Sequence, residues 1–377
     1  MRVCHVIPGL QRGGAEMLLQ ELLPRLRPHG IEVSLILFGR SSEISESLTK
    51  TGVPCLSLDV PATSIYRLDR WVRVRTAVSR IFQRGAFDVV HSHLFMADLV
   101  SRLAGSAQMR LMSTLHGTDP WWFQRRRVRS GLKRMLDSFT GRWKRVRYAA
   151  VNHRVLDMAI ANLGISRSRC RIIHNGVDLT RFSPRRRGTD ASSRDEWPHI
   201  LQIGRMDANK NQALTMRAFA KLRAKHPHAR LSFVGTGPLL SQLVDLRGKL
   251  GLEDCVVFLG VRNDVPSLLR DSDLLVLSSV LEGQPMVLLE AMASALPVIT
   301  TDIAGIRDMV EDNVTGIVVS QEADDDMAQA MIRLADDPAL LLRLGAEGRR
   351  KAEQSYSVEM TAEQYASAYR DLIEARW

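Results

Sequence analysis

The sequence predicts two doubly wound α/β domains, Rossmann-like parallel sheets with crossover helices on both faces, the pair facing a cleft. Three observations carry this. The chain has 377 residues, more than one compact core holds, so two domains of ordinary size are expected. Short apolar runs alternate with segments of helical period, the pattern of repeated strand–helix units. That alternation stops at "SPRRRGTDASSRDEW" (183–197), which is polar and without periodicity, and then restarts. The expected domains are 1–185 and 186–357.

In chain order, 2–10 is an apolar strand closed by Pro-Gly, and "AEMLLQELLPRL" places leucines at helical spacing. Strands are expected at 31–38, 87–93 and 110–117, with helices at 69–84 and over "ADLVSRLAG". "RYAAVN" (147–152) and "CRIIHNGVD" (170–178) add the last strands of the first half. In the second half, strands at 199–204, 229–235, 255–260, 273–279, 296–301 and 315–319 are expected. Helices at 211–226, 238–250, over "VPSLLRD" and at 285–294 separate them. The final helix lies in 358–377. Open sheets of this kind bind ligands beyond the carboxyl ends of their strands.

Composition narrows the function. No apolar run approaches the roughly 18 to 20 residues of a spanning helix. The start, "MRVCHVIPGL", reads as a strand and lacks the order of a secretion signal, so a cytoplasmic protein is expected. Cys4, Cys55, Cys170 and Cys255 have neither metal-ligand spacing nor a disulfide framework. The net charge of +11 is unevenly placed: residues 1–188 hold 32 Lys+Arg against 13 Asp+Glu, and the rest 20 against 28. The first half should therefore seek an anionic partner.

Four stretches carry candidate chemistry. In "QRGGAE" (11–16), Gly13 and Gly14 open a helix whose free N–H groups suit an anion, although a turn chosen for geometry explains the glycines equally well. In "IGRMDANKN" (203–211), Arg205 and Lys210 span a polar turn beyond a strand and together suit a diphosphate. Taken alone, two solvated cations are the plainer explanation. In "EGQPMVLLE" (282–290), Pro285 suits a helix start, placing Glu282 in the loop before it and Glu290 inside it. The amides of Gly283 to Val287 then form a positive helix end, and a carboxylate within the helix is suited to gripping a diol such as a ribose. Finally, His91 and His93 end a strand, with His93 a candidate acceptor contact.

These stretches resemble the retaining nucleotide-sugar glycosyltransferases of family 4, which have the GT-B fold. "EGQPMVLLE" matches the family's E-x7-E motif. "GGAE" (13–16), "HGTD" (116–119), "NGVDLTRFSP" (175–184), "GRMDANKN" (204–211), "VGTGP" (234–238), "FLG" (258–260) and "TDIAGIRDMVEDNVTGIVV" (301–319) follow in the family's order. The resemblance implies transfer of a hexose or N-acetylhexosamine from a nucleoside diphosphate sugar, UDP favoured and GDP-mannose second, to a glycan or lipid-linked acceptor. It implies that Arg205 and Lys210 neutralise the leaving diphosphate, that Glu290 holds the ribose and that Glu282 contacts the sugar. Gly13, Gly14, Gly204, Gly235, Val261, Gly283, Gln284, Pro285, Met286 and Val287 would line the donor. His116 would lie near the transferred sugar and Asp119 near the acceptor, while the final helix would return to the first domain. Gln284 departs from the aromatic or aliphatic residue of many members, which leaves the sugar open.

Neither metal nor cofactor is expected. Asp271-Ser272-Asp273 has the form of a metal-binding D-x-D but joins a helix end to a strand start, and Asp324 to Asp326 read as an acidic helix start. A sugar-nucleotide epimerase or hydrolase of the same fold, or a two-domain binding protein, remains the alternative. The segment 121–147 carries ten Lys+Arg, among them Arg125, Arg126, Arg127 and Arg129, against the single acid Asp137. Val128, Leu132, Met135, Leu136, Phe139, Trp143 and Val146 fall on one helical stripe, expected to pack on the first domain with the cations outside. Those cations should bind an anionic membrane peripherally. No nucleic-acid motif is present.

Overall fold

The structure, a computed structural model, describes residues 1–10, 13–60, 67–117, 128–185 and 197–377. These form two compact units, Met1–Gly176 with Val358–Trp377, and Val177–Ser357. The expected linker therefore lies largely outside the described residues.

The first unit runs β1 (Arg2–Ile7), α1 (Gly14–Arg25), β2 (Glu32–Leu37), α2 (Glu43–Lys50), β3 (Cys55–Ser57), α3 (Leu68–Gly85), β4 (Val89–His93) and α4 (Phe95–Ala104). It continues with β5 (Arg110–Leu115), α5 (Val128–Trp143), β6 (Arg147–Ala150), α6 (His153–Leu163) and β7 (Cys170–Ile172). All strands are parallel, in the order β3-β2-β1-β4-β5-β6-β7. Apolar strands buried on both faces demand helices on both sides. One core holds Val74, Val78 and Phe82 of α3 with Val100 of α4 and Val155 of α6. The opposite core holds Leu19, Leu22 and Leu23 of α1 and the terminal helix α13 (Val358–Ile373). Tyr365 and Tyr369 of α13 are buried against this sheet, and ion pairs Arg25–Glu359 (2.9 Å) and Arg171–Asp371 (2.7 Å) flank the helix.

The second unit runs β8 (His199–Ile203), α7 (Gln212–Lys225), β9 (Arg230–Val234), α8 (Leu240–Lys249), β10 (Val256–Phe258), α9 (Val265–Asp271) and β11 (Leu274–Leu277). Then come α10 (Met286–Ala293), β12 (Val298–Thr301), β13 (Ile317–Val319), α11 (Asp324–Asp336) and α12 (Pro338–Ser355). Its parallel order is β10-β9-β8-β11-β12-β13. Asp273 is buried and accepts the main-chain N–H of His199 (3.0 Å), a structural role that ties β11 to β8. Asp324 and Asp325 pair with Lys221 at the start of α11.

Two expectations need correction. Residues 177–185 belong to the second unit rather than the first. The N–H of Val177 donates to the carbonyl of Tyr356 (2.8 Å), and Arg349 holds the carbonyls of Leu179 (3.2 Å) and Phe182 (2.8 Å). Long-range bonds of this kind leave no periodicity in sequence.

The second correction concerns α5. Most of its apolar stripe faces outward: Leu132, Met135, Phe139 and Trp143 are 52%, 60%, 67% and 60% exposed, while Val146, past the helix end, is buried in the core as expected and Ser130, Asp137 and Thr140 are buried too. Arg102 of α4 is the cause. It is 1% exposed, and a buried guanidinium requires a carboxylate partner. Asp137 supplies it, with Asp98 at 3.8 Å and Thr140 Oγ1 at 3.3 Å from the same group. Turning Asp137 inward turns the stripe out. Gly141 permits the close approach, since a Cβ there would stand 2.1 Å from the Tyr148 hydroxyl. Among the described residues, no helix is long and apolar enough to cross a membrane.

Candidate active site

In the second unit, the loops leaving β8 and β11 are tied to each other. Gly204 (φ +158°) and Gly235 (φ +127°) let the ends of β8 and β9 meet, and a Cβ on Gly235 would lie 2.1 Å from the Gly204 carbonyl. Gln202 Nε2 donates to the Lys210 carbonyl and to Ser278 Oγ, both at 3.0 Å. Asn209 Nδ2 donates to the Leu281 carbonyl (2.7 Å), and the N–H of Val280 to the Asn209 carbonyl (2.8 Å). This lacing brings Lys210 and Glu282 together: the Lys210 ammonium donates to the Glu282 carboxylate, which also accepts from Ser279 Oγ (2.7 Å). Ser279 was not legible as a site residue, because a serine after an apolar run carries no pattern.

Arg205 stands beside Asp207 (3.5 Å) with its side chain 71% exposed, a cation open to an incoming anion. Pro285 is the extended residue just before α10, so Gly283 to Val287 do surround the positive end of that helix. Glu290 lies inside α10 and is only 7% exposed, among Leu288, Leu289, Ala291 and Met292. Gln284 is buried, whereas Val261 is exposed.

In the first unit, Gly13 is the N-cap of α1 and Gly14 its first residue. Glu16 follows in the first turn, where burial pushes its carboxyl up to about 7. Register places His5 of β1 beside His91 of β4, and His93 beside Thr114 of β5. His93 is fully buried, so the expected acceptor contact is corrected: β4 is covered on both faces, and His93 touches His5 and His116 instead. Nitrogen–nitrogen distances are 2.9 Å for His5 Nδ1 to His93 Nε2 and 2.9 Å for His93 Nδ1 to His116 Nε2. His91 meets the Tyr369 hydroxyl (2.6 Å) and Thr114 Oγ1 (2.7 Å).

Burial holds His5 down to about 3 and His116 to about 4, and His91 and His93 well below the ordinary imidazole range. His5, His91 and His93 are near enough to share a metal, but each of their ring nitrogens already has a hydrogen-bond partner. Asp119 lies outside the described residues, as do Arg125, Arg126 and Arg127.

Comparison with known proteins assigns the family. A family model described as Glycosyltransferase Family 4 matches residues 12–181, and one described as Glycosyl transferases group 1 matches 190–351. The chain belongs to the family 4 nucleotide-sugar glycosyltransferases. The family's two Rossmann-like units, the GT-B fold, are those described above.

This transferase is 24% identical over 305 residues to the Escherichia coli UDP-Gal:alpha-D-GlcNAc-diphosphoundecaprenol alpha-1,3-galactosyltransferase, 78% of each chain. It is 31% identical over 186 residues to a Campylobacter jejuni N-acetylgalactosamine-N,N'-diacetylbacillosaminyl-diphospho-undecaprenol 4-alpha-N-acetylgalactosaminyltransferase, 49% of each. Among solved structures, Anabaena HepE in complex with UDP superposes with a TM-score of 0.80 at 20% identity, covering 98% of this chain and 100% of that one. In the transferase, Lys210 is thus met already neutralised by Glu282, and Arg205 uncommitted to any buried partner.

Proposed function

We propose that this transferase moves a hexose or N-acetylhexosamine from a UDP-sugar, with GDP-mannose second, to a hydroxyl of a lipid-linked glycan, retaining the anomeric configuration. The acceptor class rests on two relatives whose names specify diphosphoundecaprenol-linked acceptors, and the UDP preference on a relative named for UDP-Gal. The observation that carries the donor site is the laced pair of loops that sets Lys210, Glu282 and the start of α10 together, with exposed Arg205 nearby in sequence.

Breaking the sugar C–O bond builds negative charge on the departing diphosphate. Arg205, Lys210 and the amides opening α10 meet it as preorganised charge, usually the dominant catalytic contribution. Glu282 holds Lys210 oriented until the diphosphate competes for it, and then faces the sugar hydroxyls. Glu290, fixed in α10, takes the ribose hydroxyls. Gly13 and Gly14 admit the diphosphate to the first loop, and His116 hydrogen-bonds the transferred sugar. The charge is met by protein cations and a helix end, so the reaction is proposed to run without metal. The departing phosphate accepts the acceptor's proton as the new bond forms on the same face.

A membrane-apposed position suits such an acceptor. The exposed face of α5 sets Leu132, Met135, Phe139 and Trp143 among Lys133, Arg134 and Arg142, and Lys144 and Arg145 follow in the turn after it. Each cation near an anionic leaflet contributes about 1 kcal/mol, and apolar side chains entering the interface add to it. The test is release of nucleotide from UDP-glucose, UDP-galactose, UDP-N-acetylglucosamine and GDP-mannose, with and without lipid extracted from bacterial membranes. Turnover that requires the lipid supports the proposal. Turnover indifferent to lipid indicates a hydrolase or epimerase, and binding without turnover a binding protein.

A further inference from the structure

Seven side chains of the first unit form one unbranched hydrogen-bond chain that ends at His116. In order they are Tyr365, Thr114, His91, Tyr369, His5, His93 and His116. The hydroxyls of Tyr365 and Thr114 are 3.0 Å apart, and the Tyr369 hydroxyl lies 3.3 Å from His5 Nε2. The imidazoles are buried and held neutral, so each of the seven groups brings one proton to share.

That count allows two arrangements. A link holds one proton, supplied from one side. If any group points its proton toward His116, the next must accept and point its own the same way. The chain therefore runs wholly toward His116 or wholly away from it.

The two directions differ at their ends. Running away, the Tyr365 O–H is left without an acceptor in the interior, since Thr114 is its hydrogen-bond partner, and His116 Nδ1 is an unused lone pair. Running toward, Tyr365 leaves only an unused lone pair, and the N–H of His116 falls on Nδ1, where a water or ligand oxygen in the adjoining cavity must accept it. An unsatisfied buried donor costs about 1 to 3 kcal/mol, a factor of roughly 5 to 150 in population. Among the described residues His116 Nδ1 has no partner, and the residue lines a cavity of about 30 Å³ with Leu94, Phe95, Asp98 and Gly117. That is room for a ligand oxygen or a water.

We infer that the chain fixes His116 as its Nδ1–H tautomer, so that it presents a hydrogen-bond donor, never a base, to an oxygen of the bound substrate. Tyr365, Thr114, His91, Tyr369, His5 and His93 are then positioning residues. They act through His116, and α13 carries two of them into a unit whose other members come from β1, β4 and β5. The tautomer is independent of function; its role in transfer rests on the proposed contact between His116 and the sugar.

The experiment is tautomer-resolved NMR of the full chain with ¹⁵N-labelled histidine at pH 7, with His116 assigned by its loss in His116→Asn. The wild type should show His116 protonated on Nδ1. His93→Met puts at His116 Nε2 a sulfur that can accept but not donate, so the Nε2–H form should rise to a comparable population. With UDP-glucose, UDP-galactose and UDP-N-acetylglucosamine as donors, His93→Met should lower kcat about two- to tenfold with KM little changed. In a His116→Asn background, whose amide donates without the chain, the same substitution should have no further effect. An Nε2–H or doubly protonated His116 in the wild type overturns the inference and needs no variant to be seen. So does a tautomer unchanged by His93→Met. If the tautomers behave as stated but neither substitution affects transfer, the chain stands and the sugar contact of His116 falls.

Discussion

Mild acid should destabilise the first unit, because four buried imidazoles must stay neutral for it to fold. His5, His91, His93 and His116 all titrate below the ordinary value of 6.5, His5 near 3 and His116 near 4. The unfolded chain binds protons at these positions as pH falls through 6.5, and the folded chain does not. The stability is thus fully present above 6.5 and drains away below it. Between pH 7 and 5.5, each such histidine removes about 1.3 kcal/mol, so the four remove about 5 kcal/mol.

Glu16 works the other way, since its carboxyl is raised to about 7 by burial and favours the protonated fold at lower pH. It returns about 1.5 kcal/mol over the same interval, leaving a loss of roughly 3 to 4 kcal/mol. Against a total of about 5 to 15 kcal/mol, that is a large fraction. Urea unfolding at both pH values and constant ionic strength, with hydrogen exchange of β1 and β4 amides to report on this unit, measures it. Equal or greater stability of the unit at pH 5.5 would refute the neutral chain.

The remaining expectations concern the donor loops and α5. Lys210→Ala should lower kcat by ~10² to 10³ with a smaller change in KM, as for removal of one preorganised electrostatic donor; near-normal turnover in a folded variant removes Lys210 from the site. Glu282→Gln should free Lys210 and tighten free UDP by up to about tenfold while impairing transfer, whereas Glu290→Ala should weaken UDP; calorimetry giving the same sign for both contradicts the division of roles. Sedimentation with phosphatidylglycerol vesicles should show binding that weakens with salt yet keeps a salt-resistant part. Phe139→Ser with Trp143→Ser should abolish that part, and a wild type that ignores such vesicles at low salt ends the membrane proposal.

The fold was legible because parallel sheets demand apolar runs at regular spacing, and both sheets announce themselves this way. In the second unit's loops, the glycines at 204 and 235, the cations at 205 and 210 and the carboxylates at 282 and 290 stood out by their fixed order at strand and helix ends. What pairs with what was not. Lys210 and Glu282 lie 72 positions apart, and nothing local says they meet. Helix α5 shows the limit most plainly: period alone assigns an apolar stripe to the core, yet one buried arginine on a neighbouring helix reversed it. The histidines of β4 looked like exposed strand-end groups. Their partners, Tyr365 and Tyr369, come from the far end of the chain, where two tyrosines at helical spacing look like ordinary core. Strand β3 and helix α2 were missed because the strand is only three residues long.

The most direct test of transfer to a lipid-linked acceptor is the mass of the acceptor after reaction. The full chain should be incubated with each UDP-hexose, UDP-N-acetylhexosamine and GDP-mannose together with a polyprenyl diphosphate-linked N-acetylhexosamine. One donor should raise the lipid's mass by a single hexose or N-acetylhexosamine residue, with an α linkage from an α-linked donor. Release of free sugar and nucleotide with the lipid unchanged, from every donor that turns over, would contradict the account.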